Sequence, residues 1–305
     1  MLEAIVAKPK GSQGVVPIHA GASAVISYIQ MRPREIYTLW NISKKYSSGD
    51  VRYNRVIWIP RSADVSMEDL LTFAIGDVHG CFDKMEALLL ACDEVRAGRE
   101  VRYVFIGDYV DRGPDTRKVI DLLMRRQLSE GHRFICLRGN HDQMLITAAS
   151  DRRSDRDLMN WWANGGEQTL DSYGVNDPSA LPAEHLKWIK ALPVRFADQK
   201  RLFVHAGIRP GTSIADQSED DLLWIREPFL SFKADYGIFV VHGHTPTKSR
   251  LPDLRSHRLN LDTGACFGGE LTAAAFLNQK AQPLFFVNSL GAVWQPQTDG
   301  LRRTD

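Results

Sequence analysis

The chain carries no surplus of either charge: 38 Lys and Arg against 37 Asp and Glu leave a net charge of +1 over 305 residues. That balance excludes a bulk electrostatic field for nucleic acid or an anionic membrane, so any recognition of phosphate has to be local. Cysteine is sparse as well. Cys81, Cys92, Cys136 and Cys266 form no C-x-x-C pair, which excludes a disulfide scaffold or a zinc knuckle and suits buried thiols in a reducing, cytoplasmic compartment. No run of eighteen apolar residues occurs, which excludes a membrane-spanning helix. What remains is a globular composition, 44% apolar and 25% charged, enough for one large core or two modest ones.

The N-terminal quarter shows little chemistry. Lys8 and Lys10 followed by a mildly apolar stretch over residues 15–29 imitate a secretory leader, but Pro17, His19, Gly21, Ser23 and Ser27 interrupt it. Alternation over residues 55–59 predicts one short strand, and residues 60–64 a polar turn. Residues 1–66 therefore read as an extension of unassigned role, with translation from Met67 as the alternative. Residues 67–295 read as the organised domain and 296–305 as a tail.

Beyond Met67, apolar runs of strand length alternate with helical periodicity. Strands are expected over residues 70–75, 101–106 and 133–137, and helices over 82–95, 116–128 and 142–149, which predicts an α/β architecture with helices covering a sheet. Each strand ends in a glycine followed by polar residues: Gly76-Asp77-Val78-His79-Gly80, Gly107-Asp108-Tyr109-Val110-Asp111-Arg112-Gly113, and Gly139-Asn140-His141-Asp142. The carboxyl edge of such strands is where sites form in α/β sheets. Two later apolar strands deliver further histidines, His205 after Leu202-Phe203-Val204 and the His242-Gly243-His244 pair after Phe239-Val240-Val241.

Carboxylates, imidazoles and an amide on successive loops form a mixed oxygen and nitrogen donor set suited to first-row transition metals, whereas a calcium cage would not need the histidines. A single Gly-Asp is usually only a turn. Twelve specified positions in the same order across three strand ends are not explained by turns alone.

These blocks resemble the phosphoprotein phosphatase family of calcineurin-like metallophosphoesterases, in particular its bacterial and phage-type serine/threonine protein phosphatase branch, whose pattern is GD-x-HG, GD-x-VDRG and GNH followed by Glu or Asp. Leu222-Leu223-Trp224-Ile225-Arg226-Glu227, Gly243-His244-Thr245-Pro246, Leu261-Asp262-Thr263-Gly264-Ala265 and Trp161-Trp162-Ala163-Asn164-Gly165-Gly166 resemble later segments of small members. The resemblance spans about residues 72–290 and implies a β-sandwich flanked by helices with a dinuclear metal site at the loop edge. It places Asp77, His79 and Asp108 on one divalent ion and Asp108, Asn140, His205 and His244 on the other. Manganese is the expected metal in vitro, with iron, zinc or cobalt as alternatives.

The implied reaction is in-line attack on phosphorus by a water that the two bridged cations deprotonate. His141 is then the general acid, Asp111 orients it, and Arg112 and Arg226 hold phosphate oxygens. An ion pair with Glu227 is the alternative role for Arg226, and Asp262 either supports the site or caps a turn. Between the paired histidines, the Gly-His-Thr-Pro block favours His244 over His242. His19, His132, His185 and His257 match no motif and are expected at the surface or in loops. Trp161 and Trp162 are expected to pack a helical cap, with a base-stacking platform beside Arg152, Arg153 and Arg156 as the alternative. Residues 151–157 read as a solvated loop or helix start.

Two clues bear on substrate. Asp111 points to a protein phosphatase acting on a phosphoprotein or small phosphoester, because dinucleoside tetraphosphate hydrolases of the symmetrical type usually replace it with a neutral residue. Asp142, where eukaryotic protein phosphatases carry Glu, points the other way. The expectation is therefore a metal-dependent phosphomonoesterase, with the symmetrical hydrolase as the alternative. A binding module without activity would have lost a ligand, and every position here is filled.

Overall fold

The computed structural model describes residues 24–32, 35–46, 49–54 and 70–296, and the chain divides into two compact units, Met1–Pro60 and Arg61–Asp305. In the first, β1 (Ala24–Arg32), β2 (Glu35–Tyr46) and β3 (Gly49–Asn54) make an antiparallel sheet in the order β1-β2-β3. None of these strands was predicted from the sequence. The strand expected over residues 55–59 and the alternative start at Met67 lie outside the described residues.

The second unit opens with the alternation read above: β4 (Leu71–Ile75), α1 (Phe82–Val95), β5 (Val101–Phe105), α2 (Thr116–Glu130), β6 (Phe134–Cys136) and α3 (Asn140–Ala148). Helices α4 (Asp155–Trp161), α5 (Glu167–Tyr173) and α6 (Ala183–Ala191) follow, with a π-helical turn over Trp162–Gly166 joining the first two. The remainder is β7 (Arg195–Ala197), β8 (Arg201–Val204), α7 (Glu219–Trp224), β9 (Phe239–His242), β10 (Asp253–Leu254), β11 (Arg258–Asn260), β12 (Thr272–Leu277), β13 (Phe285–Asn288) and β14 (Val293–Trp294).

These strands form two mixed sheets, one of six in the order β14-β13-β12-β4-β5-β6 and one of five in the order β10-β11-β9-β8-β7. β4, β5 and β6 run parallel, as do β8, β9 and β11. The side-chain period of two sorts each strand between layers. Ala74, Val104, Ala274 and Phe276 meet Phe203, Val241 and Leu259 in the core between the sheets, while Phe73, Ile75, Ala273 and Ala275 turn to the layer of α1, α2 and α3. Leu202, Val204 and Val240 face Leu222 of α7 on the far side. The result is helix, sheet, sheet, helix, as the α/β reading with a flanked sandwich expected.

One boundary differs from the sequence reading in a way that matters. α3 begins at Asn140, two residues early, because the Asp142 carboxylate accepts the Gly139 N–H at 2.8 Å and closes the first turn. Asn140 and His141 therefore stand on a helix end instead of a loop. The start of α4 follows the usual rule: Ser154 caps it, exchanging bonds with Asp157.

Candidate metal centre

The carboxyl ends of the parallel strands of both sheets meet at one edge, and His205, at the end of β8, ties them together. Its Nδ1 lies 3.0 Å from the Ile106 carbonyl at the end of β5, and its own carbonyl accepts the Gly243 N–H at 2.8 Å. The site backbone is strained. Of seven non-glycine residues with positive φ among those described, five are His79, Asp108, Asp111, Arg112 and His244. Left-handed residues of this kind cost of order 1–3 kcal/mol each and persist where the surroundings over-determine them.

Asp108 sits at the centre. Its Oδ1 accepts the His141 N–H at the start of α3 at 2.9 Å, which leaves Oδ2 equidistant, at 3.4 Å, from Nε2 of His79 and Nε2 of His205. A Cβ on Gly139 would come within 2.1 Å of that same Oδ1, so only glycine lets the carboxylate seat against the helix end. Burial alone would raise the Asp108 carboxyl, but the rings of His205, His141 and His79 around it outweigh burial and hold it below the usual carboxylate range.

Two metal-sized clusters share this residue, His79 with Asp108 and His141, and Asp77 with Asp108 and His205, each with donor atoms within 4.8 Å of one another. Asn140 and His244 adjoin the second: Asn140 Oδ1 lies 2.7 Å from His205 Nε2 and 2.8 Å from His244 Nδ1. Asp77 accepts the His244 N–H at 3.1 Å, and Asp262 raises it further after burial has done so. The Asp262 carboxyl also accepts the Gly264 N–H at 3.1 Å, so the two roles considered for it, turn cap and neighbour of the site, coexist.

The donor chemistry fits divalent cations. Burial, the largest cause, drives the His79 and His244 imidazoles down to about 3 and lowers His205 as well. The rings are therefore neutral near pH 7. With Nδ1 of His79 and His205 donating to the Val110 and Ile106 carbonyls, their Nε2 lone pairs point inward at other acceptors, Asp108 Oδ2 and Asn140 Oδ1. Buried acceptors facing acceptors are costly unless a cation lies among them. One cation is already near: Arg112 Nη1 stands 2.7 Å from His79 Nε2.

The paired histidines are separated by the end of β9: His242 is its last residue, and His244 lies beyond it in a left-handed turn with φ 66°. His242 shares the side of β9 that carries Val240, packs edge-on against Phe229 with ring centroids 4.9 Å apart, and meets Arg258 at 3.3 Å. His244, two residues on, turns into the site, with the Trp224 ring 6.1 Å away at its rim.

His141 falls within the first cluster, yet its Nδ1 is committed to Asp111 Oδ2 at 2.7 Å. Both are buried. The other Asp111 oxygen accepts from Trp161 Nε1 and Thr169 Oγ1, each at 2.9 Å. Thr169 was not singled out from the sequence, and Trp161 was read as packing with base stacking as the alternative. Arg226 is exposed, makes no ion pair with Glu227 among the described residues, and its charge reaches His244. Asp142 belongs to neither cluster; its carboxylate accepts the backbone N–H groups of Asp108, Tyr109 and Gly139. One of the unassigned histidines departs from the expectation: His185 is buried on α6 with Nδ1 2.7 Å from the Tyr173 hydroxyl, whereas His257, though buried beside Tyr236, lies in the loop between β10 and β11, and His132 is exposed. His19 lies outside the described residues. Trp162 is 54% exposed and Trp161 fully buried, so the pair does not form one stacking platform.

The family model for calcineurin-like phosphoesterases matches residues 71–278. The chain belongs to that family. It is 31% identical over 214 residues to a serine/threonine-protein phosphatase 1 of Salmonella typhimurium, covering 66% of this chain and 90% of the relative. It is 29% identical over 238 residues to an asymmetrical bis(5'-nucleosyl)-tetraphosphatase of Bacillus cereus, covering 66% of this chain and 89% of that protein. Among solved structures, a cold-active protein-tyrosine phosphatase of a Shewanella species superimposes with a TM-score of 0.52 at 15% identity, over 90% of this chain and 99% of the other, which shows a common fold. The chain is thus a phosphoesterase of the calcineurin-like family with its metal-binding Asp and His groups in place. No helix among the described residues is long and apolar enough to cross a membrane.

Proposed function

We propose that this phosphoesterase is a divalent-metal-dependent phosphomonoesterase of the serine/threonine protein phosphatase type. The observation that carries the reading is the buried contact between Asp111 Oδ2 and His141 Nδ1 at 2.7 Å. A serine or threonine alkoxide is a strongly basic leaving group, for which a positioned general acid is worth roughly 10²–10⁴-fold. A nucleotide leaving through a phosphate oxygen is far less basic and gains less. A chain that keeps a carboxylate behind its histidine is equipped for the first kind of ester.

In this reading Asp77, His79 and Asp108 hold one cation and Asp108, Asn140, His205 and His244 the other, with Asp108 shared. Bound there, two divalent ions would supply Lewis acidity and bring the pKa of a water toward neutrality. Nitrogen and oxygen donors in this mixture suit Mn, Fe, Zn or Co. The remaining work belongs to side chains. Arg112 and Arg226 grip the non-bridging phosphate oxygens, the planar guanidinium fork being matched to that geometry. His141 carries a proton on Nε2 to the departing oxygen, while Asp111 accepts the Nδ1–H, fixes the ring and stabilises its positive charge. The substrate is accordingly a phosphoprotein or a small phosphoester.

A second reading, hydrolysis of a dinucleoside tetraphosphate, is supported by the similarity to the Bacillus cereus tetraphosphatase over the same share of the chain. The two are separated by one assay with added Mn²⁺ and a chelated control. Phosphate release from phosphoserine and phosphothreonine peptides is compared with chromatographic cleavage of diadenosine tetraphosphate. Faster turnover of the peptides by tenfold or more supports the phosphomonoesterase, and preferential cleavage of the dinucleotide overturns it.

A further inference from the structure

Asp111 is held from behind by a segment that lies 50 residues away in sequence. Its Oδ1 accepts two hydrogen bonds, from Trp161 Nε1 and from Thr169 Oγ1, both 2.9 Å, and its own N–H donates to the same Thr169 hydroxyl at 2.9 Å. The neighbouring Arg112 N–H donates to the Gly165 carbonyl at 3.0 Å. Asp111 and Arg112 are consecutive left-handed residues, with φ of 71° and 68°. The segment from Trp161 to Thr169 thus anchors both backbone amides of a strained dipeptide and saturates one oxygen of its carboxylate.

The route by which it does so is the π-helical turn. Between α4 and α5 the chain winds over Trp162–Gly166 with an extra residue per turn, a local irregularity that recurs at functional sites. Gly165, at φ 98°, allows the close approach: a Cβ there would lie 2.8 Å from Arg112 Cγ and 2.9 Å from Arg112 N. Trp161 on one side of the turn and Thr169 on the other then reach the same oxygen, and both are fully buried.

We propose that Trp161 and Thr169 are positioning residues for the acid, acting through Asp111 upon His141. With Oδ1 occupied by two donors, the carboxylate cannot rotate, and Oδ2 stays aimed at His141 Nδ1. Removing either donor frees the carboxylate to turn and leaves the imidazole without a fixed partner. The proposal rests on the reading of His141 as the general acid.

The test compares Thr169→Val, which removes the hydroxyl at nearly constant shape, with Thr169→Ser, which restores it; Trp161→Phe removes the indole N–H independently. Activity is read on p-nitrophenyl phosphate, a good leaving group, and on a phosphoserine peptide, a poor one, with bound metal counted in each preparation. Thr169→Val and Trp161→Phe are expected to lose at least tenfold more on the phosphopeptide than on the aryl ester, with unchanged metal content, and Thr169→Ser to recover most of that difference. Equal loss on both esters, or loss that serine does not recover, overturns the proposal.

A second readout separates this from failure of the His141 reading. The Nδ1 proton of His141, observed by proton NMR at low field and assigned by its absence in His141→Asn, reports the contact with Asp111 whatever the enzyme hydrolyses. It should shift or vanish in Thr169→Val and persist in Thr169→Ser. An unmoved resonance in Thr169→Val overturns the positioning role even if His141 proves not to be the acid.

Discussion

The carboxylate of Asp142 accepts the backbone N–H of Tyr109 at 3.0 Å, fastening the loop after β5 to the first turn of α3. It also takes the N–H groups of Asp108 at 2.9 Å and Gly139 at 2.8 Å. Asp142 therefore helps to hold Asp108 in its left-handed conformation, φ 55°, without belonging to either donor cluster. Its burial, and next the charge of Asp108, push it up to about 7. The side chain that argued for a dinucleotide substrate in the sequence is thus also a structural anchor.

Replacing this anchor should be felt as stability before chemistry. Asp142→Ala leaves three buried N–H groups unsatisfied, at about 1–3 kcal/mol each, so a loss of at least about 3 kcal/mol by urea denaturation is expected, together with weakened metal retention. Asp142→Glu adds a methylene to a filled site and should cost less, about 1–3 kcal/mol. An Ala variant as stable as the parent would remove Asp142 from this role.

Asp108→Asn should abolish activity and lower metal content, because a neutral amide cannot serve two cations from one oxygen. Metal analysis beside kcat checks this, with a fall in rate of more than about 10³-fold expected for a lost two-metal bridge. Normal occupancy at a normal rate would take Asp108 out of the bridge.

The two histidines after β9 should respond oppositely. His244→Asn is expected to lose bound metal, whereas His242→Asn should keep it and instead lower the melting temperature, since His242 packs on Phe229 and Arg258. Metal loss in His242→Asn with retention in His244→Asn would reverse the assignment.

Arg226→Ala should raise KM for phosphoesters by about tenfold, equivalent to about 1.4 kcal/mol, with kcat little changed. An exposed guanidinium without an ion-pair partner among the described residues has little structural work to lose. Unchanged kinetics would end its role in substrate binding.

Much of the centre was legible because the donors follow strands that announce themselves as buried apolar runs, three of them followed by glycine and polar residues. The β4, β5 and β6 boundaries fall within a residue or two of their expected places, and His205 and His244 stand where apolar strands deliver them. The supporting layer was less visible. Thr169 meets Asp111 across 58 residues and Trp161 across 50, and no local period marks either partner. His185 was misplaced for a related reason: its neighbour Tyr173 lies on another helix, and one polar residue on a helix gives no sign of whether a hydroxyl waits opposite. The three N-terminal strands escaped because their residues mix polar and apolar positions without clean alternation.

The central claim is that the clustered acceptors around Asp108 bind two divalent cations on which hydrolysis depends. The most direct measurement strips the full chain with chelator, then titrates Mn²⁺ while recording bound metal and p-nitrophenyl phosphate hydrolysis together. No activity is expected without metal, and full recovery as about two equivalents bind. Undiminished hydrolysis in the stripped protein, or binding that saturates without restoring it, would contradict the account.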